Sequence, residues 1–256
     1  MQGKVAIITG SATGLGKRTA IELAKNGVHI VLNYRSSKEA ATQTAAMISE
    51  KYGVKTLVVK ADVSSLSAIQ NLVQQTISKF KRIDLLIHNA GPFIKEQKTL
   101  VNYTHEEWRQ MVDGNLNSYF YLLRETLPYM QKQQWGRVIM MGFNKVGTAP
   151  AWKYRAAYAA AKSGAASLTK TLALEEAENG ITFNVVCPGD IKGDGKEMGI
   201  LDAQKQMGEL DLEKREGTGE DIARMIVFLC EEKSDYVSGN VIEINGGQDI
   251  LSRRNG

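Results

Sequence analysis

The sequence of 256 residues contains only two cysteines, Cys187 and Cys230, far apart and without a histidine cluster near either. That excludes a disulfide framework and offers no ligand spacing for a metal. The three histidines, His29, His88 and His105, are scattered along the chain. None is assigned a catalytic role, and His88 is read as a packing or positioning residue. No apolar run approaches the roughly 18 residues that would cross a bilayer. The first strand-like run begins at Lys4, so no secretory leader is expected and the protein is read as cytoplasmic. Basic residues outnumber acidic ones by only 32 to 28 and nowhere gather into a stripe, so nucleic acid is not an expected partner. No linker, repeat or low-complexity block divides the chain, and residues 1–256 are read as one domain.

What is present is a regular alternation. Short runs rich in β-branched residues, Lys4–Thr9, Val28–Tyr34, Val54–Lys60, Ile83–His88, Arg137–Met141, Ile181–Cys187 and Val241–Ile244, read as strands. Most are almost continuously apolar, as strands buried on both faces are. Between them lie amphipathic stretches, Leu15–Asn26, Lys38–Tyr52, Leu66–Phe80, His105–Gln133, Ala156–Asn179 and Glu220–Glu231, with Gly27, Gly53 and Gly180 placed as helix stops. Seven strands with intervening helices predict a Rossmann-like, doubly wound parallel α/β sheet. One stretch, about 191–217, escapes the alternation; it reads as a substrate lid or as an exposed loop with a short helix.

The first strand runs into Thr9-Gly10-Ser11-Ala12-Thr13-Gly14-Leu15-Gly16. Glycine allows the tight turn and a close backbone approach to a pyrophosphate, and the helix starting near Leu15 aims its free N–H groups at the anion. Strand, turn and helix stand in the order that a dinucleotide site needs.

The spacing Gly-x-x-x-Gly-x-Gly resembles the short-chain dehydrogenase/reductase family, and further motifs follow in register. These are Asp62-Val63, Asn89-Ala90-Gly91, Asn115, Tyr158-Ala-Ala-Ala-Lys162, Pro188-Gly189 and Asn245-Gly246-Gly247, which together span nearly the whole chain. The subgroup it looks most similar to is the 3-oxoacyl-acyl-carrier-protein reductase type. The resemblance implies hydride transfer between a nicotinamide dinucleotide and a carbonyl, with Tyr158 as proton donor. It also implies that Asp62 and Val63 meet the adenine, that Lys162 holds the nicotinamide ribose, that Asn115 supports a water-linked proton path and that Ile191 contacts the carboxamide through its N–H.

The cofactor choice is read from the end of the second strand. Asn33-Tyr34-Arg35-Ser36-Ser37 has no carboxylate to accept ribose hydroxyls, whereas Arg35 offers a fork of donors for a 2′-phosphate and Ser36 or Ser37 could add hydroxyls. NADP(H) is expected. Tyr158 and Lys162 are four apart and share a helix face, where an ammonium would favour the phenolate.

Two departures from the family pattern stand out. No serine occurs between Ser118 and Ser163, so the hydroxyl that the family places after the fifth strand is missing. Phe143, Asn144 or Lys145 takes its place by different counts, and Asn144 is preferred because its amide can donate to a carbonyl oxygen. A threonine expected near Gly193 is missing as well. Tyr154 is expected to line the substrate pocket, or to pack against the lid. Pocket shape is expected to depend on that lid and on Pro92–Asn102. Ala157, Ala159–Ala161, Gly164–Ala166 and Ala173 form a small-residue surface which, with the resemblance, suggests a homotetramer or homodimer. Two functions are weighed: a reductase acting on a ketone such as a 3-oxoacyl thioester, and an NADP(H)-binding protein with little turnover in a sensory or scaffolding role.

Overall fold

A computed structural model describes residues 1–207, 215–248 and 251. Its strands are β1 (Val5–Ile8), β2 (His29–Tyr34), β3 (Thr56–Lys60), β4 (Leu85–His88), β5 (Gly136–Met141), β6 (Ile181–Pro188) and β7 (Val241–Ile244). Its helices are α1 (Gly14–Lys25), α2 (Lys38–Tyr52), α3 (Leu66–Phe80), α4 (His105–Val112), α5 (Ser118–Gln133), α6 (Ala156–Glu175), α7 (Ile200–Met207) and α8 (Gly219–Cys230). The sheet is parallel throughout, in the order β3-β2-β1-β4-β5-β6-β7. Strand order reverses between β1 and β4, and in such sheets the crevice beyond the strand ends at that point is where ligands bind.

The continuous apolar runs follow from helices on both faces. On one face Ile7, Leu86, Val138 and Phe183 pack with Ile69 and Leu72 of α3, Tyr119 and Leu122 of α5 and Ala165 of α6. On the other, Ile8, Leu85 and Ile139 meet Leu23 of α1, Ile48 of α2 and Ile226 of α8. Successive residues of one strand thus point into different cores. Ala157, Ala161, Ala165, Ala166 and Ala173 are buried within the chain, so these small residues serve its own packing rather than a free surface.

The expected helix His105–Gln133 is interrupted. Between α4 and α5, residues Asp113–Asn117 form a π-turn, which widens the helical ladder by one residue. A periodicity argument does not register one extra residue, because apolar side chains resume on the same face afterwards. Within the suspected lid, a 3-10 turn spans Gly193–Lys196 and α7 follows. The short helix of that reading is met over Ile200–Met207, and 208–214 lie outside the described residues.

At the amino end of β4, Asp84 is fully buried. It accepts the Val5 N–H at 2.8 Å and pairs with Arg82 through two bonds of 2.7 and 2.6 Å, with Lys4 3.8 Å away. One carboxylate therefore pins β1 to β4 at the rim opposite the crevice.

Candidate active site

The glycine turn after β1 is built by its neighbours. Ser11 Oγ donates to Ile8 O at 2.7 Å and accepts the Asn33 N–H at 3.0 Å. Asn33, buried at the end of β2, accepts the Gly10 N–H at 3.1 Å and donates to Ala61 O at 2.9 Å. From β4, Asn89 Nδ2 donates to Thr9 O and Gly10 O at 2.9 and 3.1 Å, and the Asn89 and Ala90 N–H groups both reach Thr9 Oγ1. Gly16 is required by this closeness: a Cβ there would lie 2.5 Å from Gly10 O and 2.6 Å from Asn89 Nδ2. Gly10 and Gly14 take the left-handed backbone, with φ of 62° and 63°.

Whether these residues suit a dinucleotide can be tested on the turn itself. Thr13 caps α1 without a side-chain bond. The protein instead brings its own anion there: Glu197 accepts the Gly14 N–H at 2.7 Å. A helix end that recruits a carboxylate from 183 positions away has the donor chemistry for phosphate. On one side a cleft of about 610 Å³ is lined by Gly10, Asn33, Arg35, Asp62, Val63 and Ala90 among others. On the other, a cleft of about 290 Å³ is lined by Leu15, Asn89, Gly91, Pro188, Gly189 and Ile191 together with Tyr158 and Lys162. The fit to a dinucleotide lying across the β1/β4 switch point is good.

Arg35 is 69% exposed, with its guanidinium 4.0 Å from Asp62. Asp62 is partly buried, which opposes ionisation. Its bonds from the Ser64 hydroxyl and N–H, with Arg35 nearby, hold the carboxyl below its usual range all the same. Ser36 is exposed beside Arg35, whereas Tyr34 is buried between Ala12 and Ala41.

Tyr158 and Lys162, one turn apart on α6, both face the smaller cleft. Lys162 is buried, donates to Met141 O at 2.8 Å and is pushed down to about 8 by desolvation. Burial pushes the Tyr158 phenol upward, and Cys187 beside it adds to the shift. Spacing leads to the expectation that an ammonium lowers Tyr158; burial raises it instead, with the ammonium 5.9 Å from the ring centre. Asn115 lies in the π-turn, where its amide donates to Pro92 O and Met111 O at 3.0 Å each. Its Oδ1 is buried without a partner. His88 is buried on Tyr119, 5.0 Å between rings, and held neutral by burial and by the Lys162 charge. The Ser118 hydroxyl, 3.0 Å from His88 Nε2, donates to Gly114 O and so accepts from the imidazole.

At the missing-serine position, Phe143 and Asn144 diverge. The Phe143 ring packs at a tilt against Trp152 at 5.0 Å and Tyr158 at 6.0 Å, and Phe93 meets Tyr158 edge-on at 5.0 Å. Asn144 lines the cleft, is 3% exposed and donates one amide hydrogen to Glu243 of β7. Glu243 also accepts the Lys145 N–H at 2.8 Å and the Asn245 amide at 3.0 Å. The Ile191 N–H, expected at a carboxamide, donates to Gly189 O at 2.9 Å. Tyr154 precedes α6, has a φ of 66° and lines a separate groove with Lys98, Leu100 and Lys153.

The comparisons with known proteins fall on this frame. The family model described as enoyl-(acyl carrier protein) reductase matches residues 10–249. A Bacillus subtilis protein named "Putative oxidoreductase YtkK" is 45% identical over 252 residues, covering 97% of each chain. The chain belongs to the short-chain dehydrogenase/reductase family. Staphylococcus epidermidis 3-oxoacyl-[acyl-carrier-protein] reductase FabG is 34% identical across 95% of this chain and 98% of its own. A solved structure described as a "putative 3-oxoacyl-reductase" from Bacillus thuringiensis superposes with a TM-score of 0.90 at 43% identity, over 97% of this chain and 99% of the other.

This short-chain dehydrogenase/reductase is thus a single-sheet oxidoreductase, with Gly10, Asp62, Asn89, Tyr158, Lys162 and Gly189 lining clefts beside the β1/β4 switch point. Among the described residues no helix is long and apolar enough to cross a membrane, and no three metal-ligating side chains cluster. Sequence reading passed over Asn33, Glu197 and Glu243 as site residues. Each acts through a contact with a distant segment, which no local pattern signals. The aromatic wall of Phe93, Phe143 and Trp152 has no local signal either, since it is assembled from two connections, β4 to α4 and β5 to α6.

Proposed function

We propose that this protein is a cytoplasmic, NADP(H)-dependent reductase that reduces a ketone carbonyl, with a 3-oxoacyl thioester as its substrate class. The observation that carries the reading is the placement of Tyr158 and Lys162 in one cleft with Leu15, Asn89 and Gly91 of the dinucleotide crevice. A bound reduced nicotinamide supplies the hydride. The chain's own contribution is the proton and the geometry. Because burial keeps the Tyr158 phenol protonated, it serves as an acid toward a carbonyl oxygen, which suits the direction of reduction. Lys162, shifted to about 8, is still largely an ammonium near neutrality and stabilises the charge left behind on the tyrosine. The bare Oδ1 of Asn115 is an acceptor for a water that returns the proton.

Asn144 stands at the cleft in the place of the serine, an amide donor whose orientation is fixed by Glu243. Arg35, exposed and without an acidic residue at the end of β2, supports NADP(H) over NAD(H). Phe120 and Leu174, exposed on α5 and α6, support association of the chain into a homodimer or homotetramer.

The test is loss of NADPH absorbance with 3-oxoacyl thioesters and simple ketones. Tyr158→Phe is expected to lower kcat about 10²–10⁴-fold while NADPH still binds. Arg35→Asp is expected to shift the NADPH/NADH preference by about tenfold or more toward NADH. Micromolar NADPH binding without turnover of any ketone would replace the reductase with a cofactor-sensing protein. An unchanged preference in Arg35→Asp would remove the NADP(H) assignment.

A further inference from the structure

Glu197 stands between the 3-10 turn Gly193–Lys196 and α7, far in sequence from the nucleotide turn. Its Oε1 accepts the N–H of Gly14, the first residue of α1, at 2.7 Å, and its Oε2 lies 2.6 Å from Lys17 Nζ. Burial opposes its ionisation, but the Lys17 ammonium and the Gly14 N–H outweigh that and hold the carboxyl below its ordinary range. The surrounding segment is fastened nearby. Ile200 N–H donates to Glu220 at 2.7 Å, Glu220 pairs with Arg18 of α1 at 3.0 Å, and Gly219 presses against Lys196 O where no Cβ would fit. Lys196 itself lines the Tyr158 cleft. The carboxylate thus occupies the donor and the cation that a phosphate at this helix end would also use.

We infer that Glu197 is a built-in competitor for the pyrophosphate of the dinucleotide and so sets the affinity of the protein for its cofactor. An N–H serves one strong acceptor, and two anions at one helix end repel, so the bound phosphates and the seated carboxylate disfavour each other. The fraction of molecules in which Glu197 has left the turn scales the observed affinity directly. This rests on the reading of the turn as a dinucleotide site. Glu197 and Lys17 are partly exposed, so the effect is moderate.

The experiment is calorimetric titration of wild type and Glu197→Gln with NADPH and, separately, with 2′-AMP, which carries the adenosine end but no pyrophosphate. Glu197→Gln keeps the shape and removes the charge, and its NADPH Kd is expected to fall about fivefold while its 2′-AMP Kd stays unchanged. A merely structural role would move both ligands together or neither. An NADPH Kd that is unchanged in the variant would overturn the inference, and a weaker one would make Glu197 a clamp that closes on bound cofactor. Failure of both proteins to bind NADPH at all would overturn the dinucleotide reading and this inference with it.

Discussion

Gly91 packs tightly on Asn115 in the site, and Gly91→Ala tests that approach directly. A Cβ at position 91 would lie 2.2 Å from Asn115 Oδ1 and 3.1 Å from its Cγ. Asn115 yields only at a cost, because it is fully buried and its amide is tied to Pro92 O and Met111 O at 3.0 Å. Overpacking of this kind costs about 1–3 kcal/mol. Loss of one of the two amide bonds as the side chain turns away adds about 1 kcal/mol. The sum, about 2–4 kcal/mol, corresponds to a fall in Tm of roughly 5–15 °C for a chain of this size. Urea unfolding is the assay, with an unchanged m-value showing that the variant starts from the same compact state. The cycle is closed by Asn115→Ala and the double variant. Alanine at 115 removes the atoms that the new methyl would strike, so the pair is expected to couple favourably by about 1–3 kcal/mol. If Gly91→Ala lost less than about 0.5 kcal/mol, or if the two changes simply added, the close approach would not be what makes glycine necessary.

Two further predictions concern charge and the missing serine. Lys162 has its pKa lowered to about 8 by burial, so in the range from about 8 to 10.4 the unfolded chain binds more protons than the native one. Stability gained through this group therefore rises with pH across that window and is absent below it. Lys162→Met is expected to flatten the rise by an amount on the order of 3 kcal/mol, measured as the wild-type minus variant difference in unfolding free energy at pH 7 and pH 10; a difference independent of pH would contradict the burial argument. Asn144→Ala is expected to lower kcat about 10²–10³-fold with the NADPH Kd unchanged, and Glu243→Ala, which removes the acceptor shared by the Asn144 amide, the Lys145 N–H and the Asn245 amide, about tenfold. Equal rates in Asn144→Ala and wild type would show that the carbonyl oxygen relies on Tyr158 alone.

Much of the architecture is legible in the sequence because two of its rules are local. Continuous apolar strands such as Ile181–Cys187 report burial on both faces, and Gly10, Gly14 and Gly16 report a turn that side chains would block. The spacing of Tyr158 and Lys162 likewise places them together on α6, where they share a cleft. The electrostatics were less legible. Spacing predicts a lowered tyrosine, but whether an ammonium or desolvation prevails depends on the surrounding density of α6 and β6, which spacing does not carry. The π-turn escaped because it adds one residue without altering the apolar face. Ile191 N–H turned inward to Gly189 O, a γ-type closure that side-chain identity does not encode. Tyr154 would have faced the cleft had α6 started one turn earlier, but the chain at 154 is left-handed and the helix begins at Ala156.

The carboxylate of Asp84 is one end of a seam that runs the length of β1 and β4. It ties the strands at their amino ends, the ladder continues through Ile8 and Ile87, and the Thr9 N–H closes it on Ile87 O at 3.1 Å. Beyond that last rung the join is made by Asn89 and Thr9, through bonds to the very turn that faces a ligand. The two strands on either side of the switch point are thus riveted at both rims, and the floor of the crevice is a frame laid down by the sheet itself.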